Sequence, residues 1–228
     1  MSKKNGMVLA VKCAPDKRIF QDIQKAGIKA VELYLSEEIM LEAQRVYALC
    51  AEFPFRYAVH APPLGCSIEK LVEFTRVIRP EVVVFHNVFW DDEWPLIDKA
   101  FKGTRAKICI ENTYSAHEPV KFERRYGFSR CVDIEHLQME CAGVFEEEFI
   151  KVLKMASHIH LTGYKFGGDK WHTHIHQAKK HGEYLLGLLI KADYSGFVVS
   201  EGKVSLQNLE EFKKLSEFYG DFIRNCKK

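Results

Sequence analysis

The sequence lacks the features that mark disulfide-bonded, secreted or membrane-spanning proteins. Its seven cysteines are odd in number and form no C-x-x-C pair, which argues against a disulfide framework and predicts reduced thiols. No run of residues approaches the ~20 apolar positions that a membrane span needs. Residues 1–6 have no apolar centre of the kind that a signal peptide carries. We therefore expect a cytoplasmic protein with no membrane partner.

A strong charge of one sign and a glycine-rich phosphate turn are missing as well. The formal net charge is +2, which provides no sustained basic field of the kind that indicates a nucleic-acid partner. After the first apolar run the sequence reads Cys13-Ala14-Pro15-Asp16, where a dinucleotide-binding fold would carry a G-x-G-x-x-G turn. This absence argues against an open, doubly wound sheet.

What the sequence does contain is a regular alternation of short apolar strands and helical patterns. At 228 residues, with 47% hydrophobic and 28% charged residues, the chain is ordinary for a soluble globular protein. Eight strand-plus-helix units favour a single (β/α)8 TIM barrel over residues 1–228, with an open sheet as the alternative. The strand patterns cover residues 7–13, 28–35, 55–60, 81–86, 107–111, 131–133, 157–162 and 196–201.

The segments between the strands predict helices, with one exception. The exception is the piece from Gly163 to Gly182, which holds histidines at 172, 174, 176 and 181. An irregular segment of this length inside a compact domain usually has a function. Later helix patterns cover residues 119–127, 139–156, 183–192 and 205–225, and the earlier ones follow Asp16, Ser36, Ser67 and Asp91.

Residue types that bind metals stand at the ends of six consecutive strands. They are His60, His86, Glu111, Asp133, His160 and Glu201. In a barrel the carboxyl ends of the strands meet at one mouth, where such enzymes place their active sites. Three imidazoles and three carboxylates there predict a divalent-metal site, for zinc, manganese, iron or cobalt before magnesium. Taken singly, a histidine at such a position is more often structural, and Glu111 or Asp133 would serve equally as a helix cap.

The alternation of side chains along a strand separates the residues expected inside the barrel. Cys109 and Glu111 share one face of their strand, and Cys131 and Asp133 share one face of the next. We therefore expect both cysteines to pack in the barrel interior. His158, two residues before the end of the seventh strand, is expected to be a core histidine.

The strings around these strand ends carry a family resemblance. They read Val-His-Ala-Pro at 59–62, Val-Phe-His-Asn at 84–87, Ile-Glu-Asn-Thr at 110–113, Asp-x-x-His at 133–136, His-Leu-Thr at 160–162, and then Glu201. Taken in order, they resemble the xylose isomerase-like TIM-barrel superfamily, which includes sugar-phosphate isomerases and epimerases and the endonuclease IV relatives. Residues 30–33, Ala-Val-Glu-Leu, are similar to its second-strand signature. The resemblance covers essentially the whole chain, but it does not single out one reaction.

In the isomerase and epimerase branch, the resemblance implies one divalent metal held by Glu111, Asp133, His160 and Glu201. The metal would bind two neighbouring substrate oxygens and make a carbon-bound proton acidic. Glu111 and Glu201 would be the catalytic pair, one removing the proton and the other returning it, and His136 would bond a substrate oxygen. The substrate, a sugar or sugar phosphate, would also meet Glu32, His60, His86, Lys165 and Lys203.

In the endonuclease IV branch, the resemblance implies three zinc ions and cleavage of a phosphodiester. The first site would be formed by His60, His86 and Glu111, and the carboxylate of Glu111 would bridge to a second site made of the four residues named above. The third site of that family needs an Asp-x-His pair. This chain departs from that pattern and offers His136 together with His172 and His174, or with His174 and His176.

The loops favour small-molecule chemistry. Binding duplex DNA needs many phosphate contacts from cationic loops, whereas the early loops carry Pro62-Pro63, Gly65 and Asp-Asp-Glu at 91–93. We therefore predict a metal-dependent isomerase or epimerase. A zinc phosphoesterase is the alternative, with nucleic acid as the less favoured partner, and a barrel that binds metal or ligand without turnover is the third hypothesis. The oligomeric state is not predicted.

Overall fold

Eight parallel strands close into one barrel in the order of the sequence. The structure, a computed structural model, describes residues 6–142 and 147–226, with the backbone alone for residues 147 and 148. Pairing of the first strand with the eighth completes the ring, which confirms the predicted (β/α)8 barrel. The strands are β1 (Val8–Cys13), β2 (Ala30–Tyr34), β3 (Arg56–His60), β4 (Val82–Phe85), β5 (Lys107–Glu111), β6 (Ser129–Asp133), β7 (Ala156–Leu161) and β8 (Phe197–Ser200).

Helices lie between the strands along the chain. Asp16, Ser36 and Ser67 each accept a hydrogen bond from the backbone N–H three residues later, as the sequence predicts for N-terminal caps. No helix in the described ranges is both long and apolar enough to cross a membrane. The helices are α1 (Lys17–Lys25), α2 (Glu37–Leu41), α3 (Ala43–Ala51), α4 (Ile68–Ile78), α5 (Trp94–Phe101), α6 (Glu118–Tyr126), α7 (Ile134–Glu140), α8 (Glu147–Lys154), α9 (Lys179–Lys191) and α10 (Leu209–Asn225).

Two apolar layers pack against the strands, one outside the barrel and one inside it. The larger layer lies between the sheet and the helices and includes the buried rings of Phe20, Phe74 and Phe122. The smaller one fills the barrel interior with compact side chains, among them Cys109 and Cys131, whose placement confirms the prediction. Because side chains alternate along each strand, the next inward positions toward the carboxyl ends are the polar ones that form the site.

The prediction of one helix over residues 139–156 is wrong. Helix α7 ends at Glu140, and Ala142 has a positive φ of 49°, which interrupts a right-handed helix. Helical structure begins again at Glu147, and residues 143–146 lie outside the part of the chain that the structure describes. The apolar spacing runs on across the break, so the pattern alone does not reveal it.

Three other helix boundaries differ from the predicted ones. The single helix expected after Ser36 is two helices, α2 and α3, which meet at Glu42. Helix α9 begins at Lys179 and is preceded by a 3-10 turn over 175–178, so the irregular segment is shorter than expected. Helix α10 begins at Leu209 rather than at 205, because the side chain of Asn208 caps it.

Candidate metal centre

The polar strand ends meet at one mouth of the barrel. Glu111 and Asp133 are the last residues of β5 and β6, His160 is the last but one of β7, and Glu201 directly follows β8. Asp133 is aligned with His160 across the β6–β7 pair. Alternation turns these side chains inward, above the small residues that fill the barrel. The four residues that the sequence places at a metal site therefore lie together.

The Nδ1 atom of His160 is the meeting point of the cluster. It lies 2.9 Å from Oε1 of Glu201, 3.2 Å from Oε2 of Glu111 and 3.9 Å from Oδ2 of Asp133. Donor atoms about 2.1 Å from a shared tetrahedral ion stand about 3.4 Å apart from one another. The separations from His160 Nδ1 are near this value for Glu111 and Glu201 and longer for Asp133. Each group of donors that lie within 4.8 Å of one another holds at most two of these four residues, so the groups overlap around His160 and Glu111.

The other ring nitrogen of His160 is held by Glu32. His160 Nε2 lies 3.1 Å from Oε1 and 3.3 Å from Oε2 of Glu32, whose side chain is fully buried. A carboxylate only accepts hydrogen bonds, so in the neutral ring Nε2 carries the proton and Nδ1 keeps a lone pair toward the cluster. His158 Nε2 lies 2.6 Å from Oε2 of Glu32. His158 is thus buried in the barrel, as predicted, and it fixes the carboxylate that orients His160.

Further histidines surround Glu111. The Nε2 atoms of His60 and His86 lie 3.0 Å and 3.4 Å from its Oε2 atom, and His136 Nδ1 lies 3.5 Å from its Oε1 atom. His60 donates its Nδ1–H to the carbonyl of Ala61 over 2.8 Å, so in the neutral ring Nε2 presents a lone pair to Glu111. Two acceptors that face each other need a proton or a cation between them.

Asp133 combines the two roles that its sequence position suggested. Its Oδ1 atom accepts a hydrogen bond from the backbone N–H of His136 over 2.9 Å and so caps α7. The side chain of Asn112 accepts a hydrogen bond from the backbone N–H of Asp133 over 2.7 Å. The Oδ2 atom is buried without a hydrogen-bond partner among the described residues. Capping therefore leaves one oxygen of Asp133 for the cluster.

Burial and mutual proximity change the pKa values of the cluster. Burial raises the pKa of Asp133 to about 6. Burial also opposes ionisation of Glu111 and Glu32, but their contacts with His160 outweigh it and hold the pKa of each carboxyl well below its usual range. Burial by itself would lower the pKa of His160, yet the neighbouring carboxylates hold it well above the usual value. Without a metal, His160 takes up the proton that offsets part of this negative charge.

Lys12 belongs to the site and was missed by the sequence analysis. Its Nζ atom lies 2.6 Å from Oε1 of Glu201 and 3.8 Å from Oε1 of Glu32, and 15% of its side chain is exposed. Burial opposes its charge, but these carboxylates hold the pKa of Lys12 above its usual range. The signal in the sequence was a lysine on the same face of an apolar strand as Ala10, and β1 and β2 align it with Glu32.

The residues present fit a divalent cation. In the described part of the chain, Lys12 is the one lysine or arginine that pairs with the carboxylates of Glu32, Glu111, Asp133 and Glu201. Buried polar atoms left without a hydrogen-bond partner there include Glu32 Oε1, Asp133 Oδ2 and His160 Nδ1. A cation would satisfy such atoms and offset the excess negative charge. Groups whose donor atoms all lie within 4.8 Å include His60–Glu111–His160, Glu111–Asp133–His136 and Glu32–His160–Glu201.

An open cavity of about 460 Å³ lies beside the cluster. Lys12 and Glu201 belong to its walls, so they connect the buried donors with the mouth of the barrel. The ring of Tyr34 is 5.7 Å from the Lys12 ammonium and lines the same space. The volume lies within the range of pockets that bind small molecules. The wall also includes His172, Lys203 and Gln207.

Of the other predicted substrate contacts, Lys203, Lys165 and His86 are exposed or partly exposed, whereas Glu32 is not. Lys203 is exposed and borders the cavity, and Lys165 is exposed on the segment after β7. His86 is partly exposed beside Glu111, with 17% of its side chain accessible. Glu32 is fully buried and bonded to His158 and His160, so the structure places it beneath the cluster.

Two histidines of the segment before α9, His174 and His176, have their contacts away from the cluster. His174 is buried, with Nδ1 2.8 Å from the Ser200 hydroxyl and Nε2 3.3 Å from the carbonyl oxygen of Leu206. His176 lies 3.1 Å from Glu211. Among the described residues, no group of donors within 4.8 Å contains a histidine of this segment. The geometry therefore lends no support to a third site built on His136 with His172 and His174 (or with His174 and His176).

Comparison with known proteins finds solved structures of similar fold. No protein-family model matches the sequence, and no curated protein is significantly similar to it. Among solved structures, an uncharacterized protein from Parabacteroides distasonis has a TM-score of 0.66 at 14% identity, over 96% of this chain and 99% of that chain. The TTHB071 protein from Thermus thermophilus, solved after soaking with ZnCl2, has a TM-score of 0.61 at 15% identity, over 94% and 98%. Orotidine 5′-monophosphate decarboxylase from Sulfolobus solfataricus has a TM-score of 0.57 at 9% identity, over 96% of this chain and 100% of that chain.

These likenesses show a TIM barrel. The neighbours include barrel enzymes of several kinds, isomerases and decarboxylases among them, which is consistent with a catalytic barrel in general terms. They are not specifically xylose isomerase-like, so the narrower family stays a prediction from the strand-end strings.

Proposed function

We propose that this chain is a divalent-metal-dependent isomerase or epimerase that acts on a sugar or sugar phosphate by proton transfer. The proposal rests on the meeting of Glu111, Asp133 and Glu201 within 3.9 Å of His160 Nδ1. Through Glu201 this cluster opens into a cavity suited to a small molecule. A buried set of donors next to such a cavity is what metal-assisted chemistry on a small substrate requires.

The proposed mechanism divides the work between the two glutamates. Glu111, Asp133, His160 and Glu201 would hold a zinc or manganese ion, which when bound polarises substrate oxygens and acidifies a neighbouring C–H bond. Glu201 borders the cavity, and although burial opposes its ionisation, His160 and Lys12 lower its pKa. Glu201 is therefore ionised beside the cavity and is the proposed base that takes the substrate proton. Glu111, whose pKa is also lowered, would take up a proton from solvent water before it acts as the partner that returns one.

His136 and the rim of the cavity are proposed to fix the substrate. The His136 side chain is 27% exposed, and its Nδ1–H, 3.5 Å from Glu111, donates a hydrogen bond to the carbonyl of Asn112 over 3.1 Å. Its Nε2 is therefore the atom proposed to bond a substrate oxygen. The ammonium groups of Lys12 and Lys203 lie in the cavity wall, which His172 also lines. A phosphate or another anionic group on the sugar would be attracted to this rim.

Exchange of substrate hydrogen with solvent deuterium tests the proposal. In D2O with Mn²⁺ or Zn²⁺, the wild-type chain should incorporate deuterium into at least one ketose or sugar phosphate of a broad panel, read by mass spectrometry. Glu201→Gln should lower the exchange rate at least about a hundredfold, since general acid–base groups contribute about 10²–10⁴-fold. Metal content is measured in parallel, which separates the loss of the base from the loss of the ion.

Glu140→Gln is the matched control. Glu140 is exposed and bonds Ser115 and the backbone N–H of Ala116, away from the barrel interior, so its variant should exchange at the wild-type rate. A wild-type chain that binds metal but exchanges no hydrogen across the panel would contradict the isomerase proposal and favour a barrel that binds without turnover.

The contacts of Glu111 favour one second candidate, a multi-zinc phosphodiesterase. The approach of both His60 and His86 to the same oxygen of Glu111 provides donors for an ion beside the first one. Two neighbouring metal ions are typical of sites that cleave phosphodiesters. Incubation with DNA that contains an abasic site tests it. Incision by the wild type that is lost in Glu111→Gln would replace the isomerase proposal, and intact DNA would remove the second candidate.

A further inference from the structure

Lys12 stands where the donor geometry provides for another cation. The donor atoms of Glu32, His160 and Glu201 all lie within 4.8 Å of one another, close enough to share an ion. Lys12 Nζ approaches the same group, 2.6 Å from Glu201 Oε1 and 3.8 Å from Glu32 Oε1. The ammonium and a metal ion would therefore compete for the same oxygens.

The contact between Lys12 and Glu32 is incomplete. Glu32 Oε1 is buried and has no hydrogen-bond partner among the described residues. The Lys12 ammonium is 3.8 Å away, too far for a hydrogen bond, and the nearby His160 Nε2 bonds the other oxygen, Oε2. This oxygen faces His160 Nε2 and Lys12 and still lacks a well-placed positive partner. A buried, unsatisfied carboxylate oxygen is an independent sign that the position suits a cation.

We propose that the Lys12 ammonium takes the place of a second cation in this cluster and thereby limits how many divalent ions the chain binds, and how tightly. Lys12 shares Glu201 Oε1 with the donors around His160, and like charges so close together in a buried site repel strongly. A lysine side chain also keeps a proton-bearing positive group at the wall of the cavity. This inference rests on the proposed metal centre, and it adds that Lys12 sets the number of divalent ions bound there.

Titration of the apo-protein with Zn²⁺ or Mn²⁺ tests this role, read by calorimetry and by elemental analysis after desalting. Lys12→Met removes the charge and keeps most of the aliphatic stem. We expect this variant to bind one more divalent ion per chain than the wild type, or to bind the first ion at least tenfold more tightly. Lys12→Arg keeps the charge and should match the wild-type stoichiometry.

Lys203→Met is the matched control, because Lys203 lines the same cavity but is exposed. It should bind metal as the wild type does. The melting temperature gives a readout independent of activity: Lys12→Met should melt lower than the wild type without metal and should gain more on adding Zn²⁺. Lys12→Gln replaces Lys12→Met if the latter does not fold.

The outcomes separate the two proposals. Unchanged or weaker metal binding by Lys12→Met, with normal binding by the wild type, overturns the role of Lys12 and leaves the metal centre standing. Binding by Lys12→Met but not by the wild type supports the role of Lys12 and removes the metal centre from the natural chain. Failure of both proteins to bind any ion overturns both proposals.

Discussion

Replacing Glu32 by glutamine probes how the cluster orients its central histidine. Glu32 Oε2 accepts hydrogen bonds from His158 Nε2 over 2.6 Å and from His160 Nε2 over 3.3 Å, and its Oε1 lies 3.1 Å from His160 Nε2 without a hydrogen bond. Glutamine has the same shape but a single acceptor oxygen, so one of the two imidazole N–H groups will face an amide N–H. That histidine then loses its bond or changes tautomer. If His160 changes, its proton moves to Nδ1, the atom that faces the other carboxylates.

These contacts set the size of two expected effects, a loss of folding free energy and a loss of metal affinity. One buried donor left unsatisfied costs about 1–3 kcal/mol of folding free energy. Loss of a carboxylate that orients a metal-binding histidine lowers metal affinity about 10–100-fold. We therefore expect Glu32→Gln to remain folded, to unfold at a lower urea concentration, and to bind Zn²⁺ about 10–100 times more weakly than the wild type.

Two measurements on the same preparations check this prediction, urea unfolding and competition for Zn²⁺ against a chelator. Glu135→Gln is the control: Glu135 is also buried and accepts a hydrogen bond from the Thr162 hydroxyl, but it belongs to a different contact network. The control should lose stability to a similar extent and keep its metal affinity. Wild-type zinc affinity in Glu32→Gln would refute the role assigned to Glu32, whatever its stability.

Three further predictions concern pH and packing. Burial raises the pKa of Asp133 to about 6, so protons compete with the metal for this carboxylate as the pH falls through 6. The affinity for Zn²⁺ or Mn²⁺, measured between pH 8 and 5, should therefore drop near pH 6. A flat profile would contradict this prediction. Burial lowers the pKa of His174 to about 4, below the 6.5 of an exposed imidazole, so the unfolded chain binds the proton first. Stability to urea should therefore fall by up to about 3 kcal/mol as the pH drops from 6.5 toward 4, and His174→Gln should flatten that decline. A Cβ on Gly202 would lie 2.3 Å from His174 Cε1, so Gly202→Ala should lower stability by about 1–3 kcal/mol. Gly187→Ala in α9, where nothing lies within 4 Å of the added Cβ, should not destabilise the protein.

The strand ends are the part of the site that sequence reasoning predicts well. Parallel strands with period-two alternation place Glu111, Asp133 and His160 inward at a common edge without any knowledge of tertiary contacts. The same alternation predicts the interior position of Cys109 and Cys131. These features depend only on local pattern and on the closure of the barrel.

Contacts between distant parts of the chain could not be predicted in the same way. Glu32 bonds His158, which is 126 residues away in the chain. The sequence does not distinguish a glutamate that is buried in this way from one that binds a substrate. Lys12 was overlooked because a lysine in a strand usually marks a solvent-facing position. His174 resembles its neighbouring histidines in sequence, and only its packing against Gly202 distinguishes it. The break at Ala142 depends on a positive φ, a backbone conformation that an alanine in the sequence does not predict.

Metal binding by wild type and Asp133→Asn tests the central claim most directly. Asparagine keeps the side-chain oxygen that caps α7 and removes only the charge, so the variant should fold. We predict that the wild-type chain binds at least one Zn²⁺ or Mn²⁺ ion, and that Asp133→Asn binds it at least about tenfold more weakly, since charged partners dominate such sites. A folded wild-type chain that binds no divalent ion would contradict this claim.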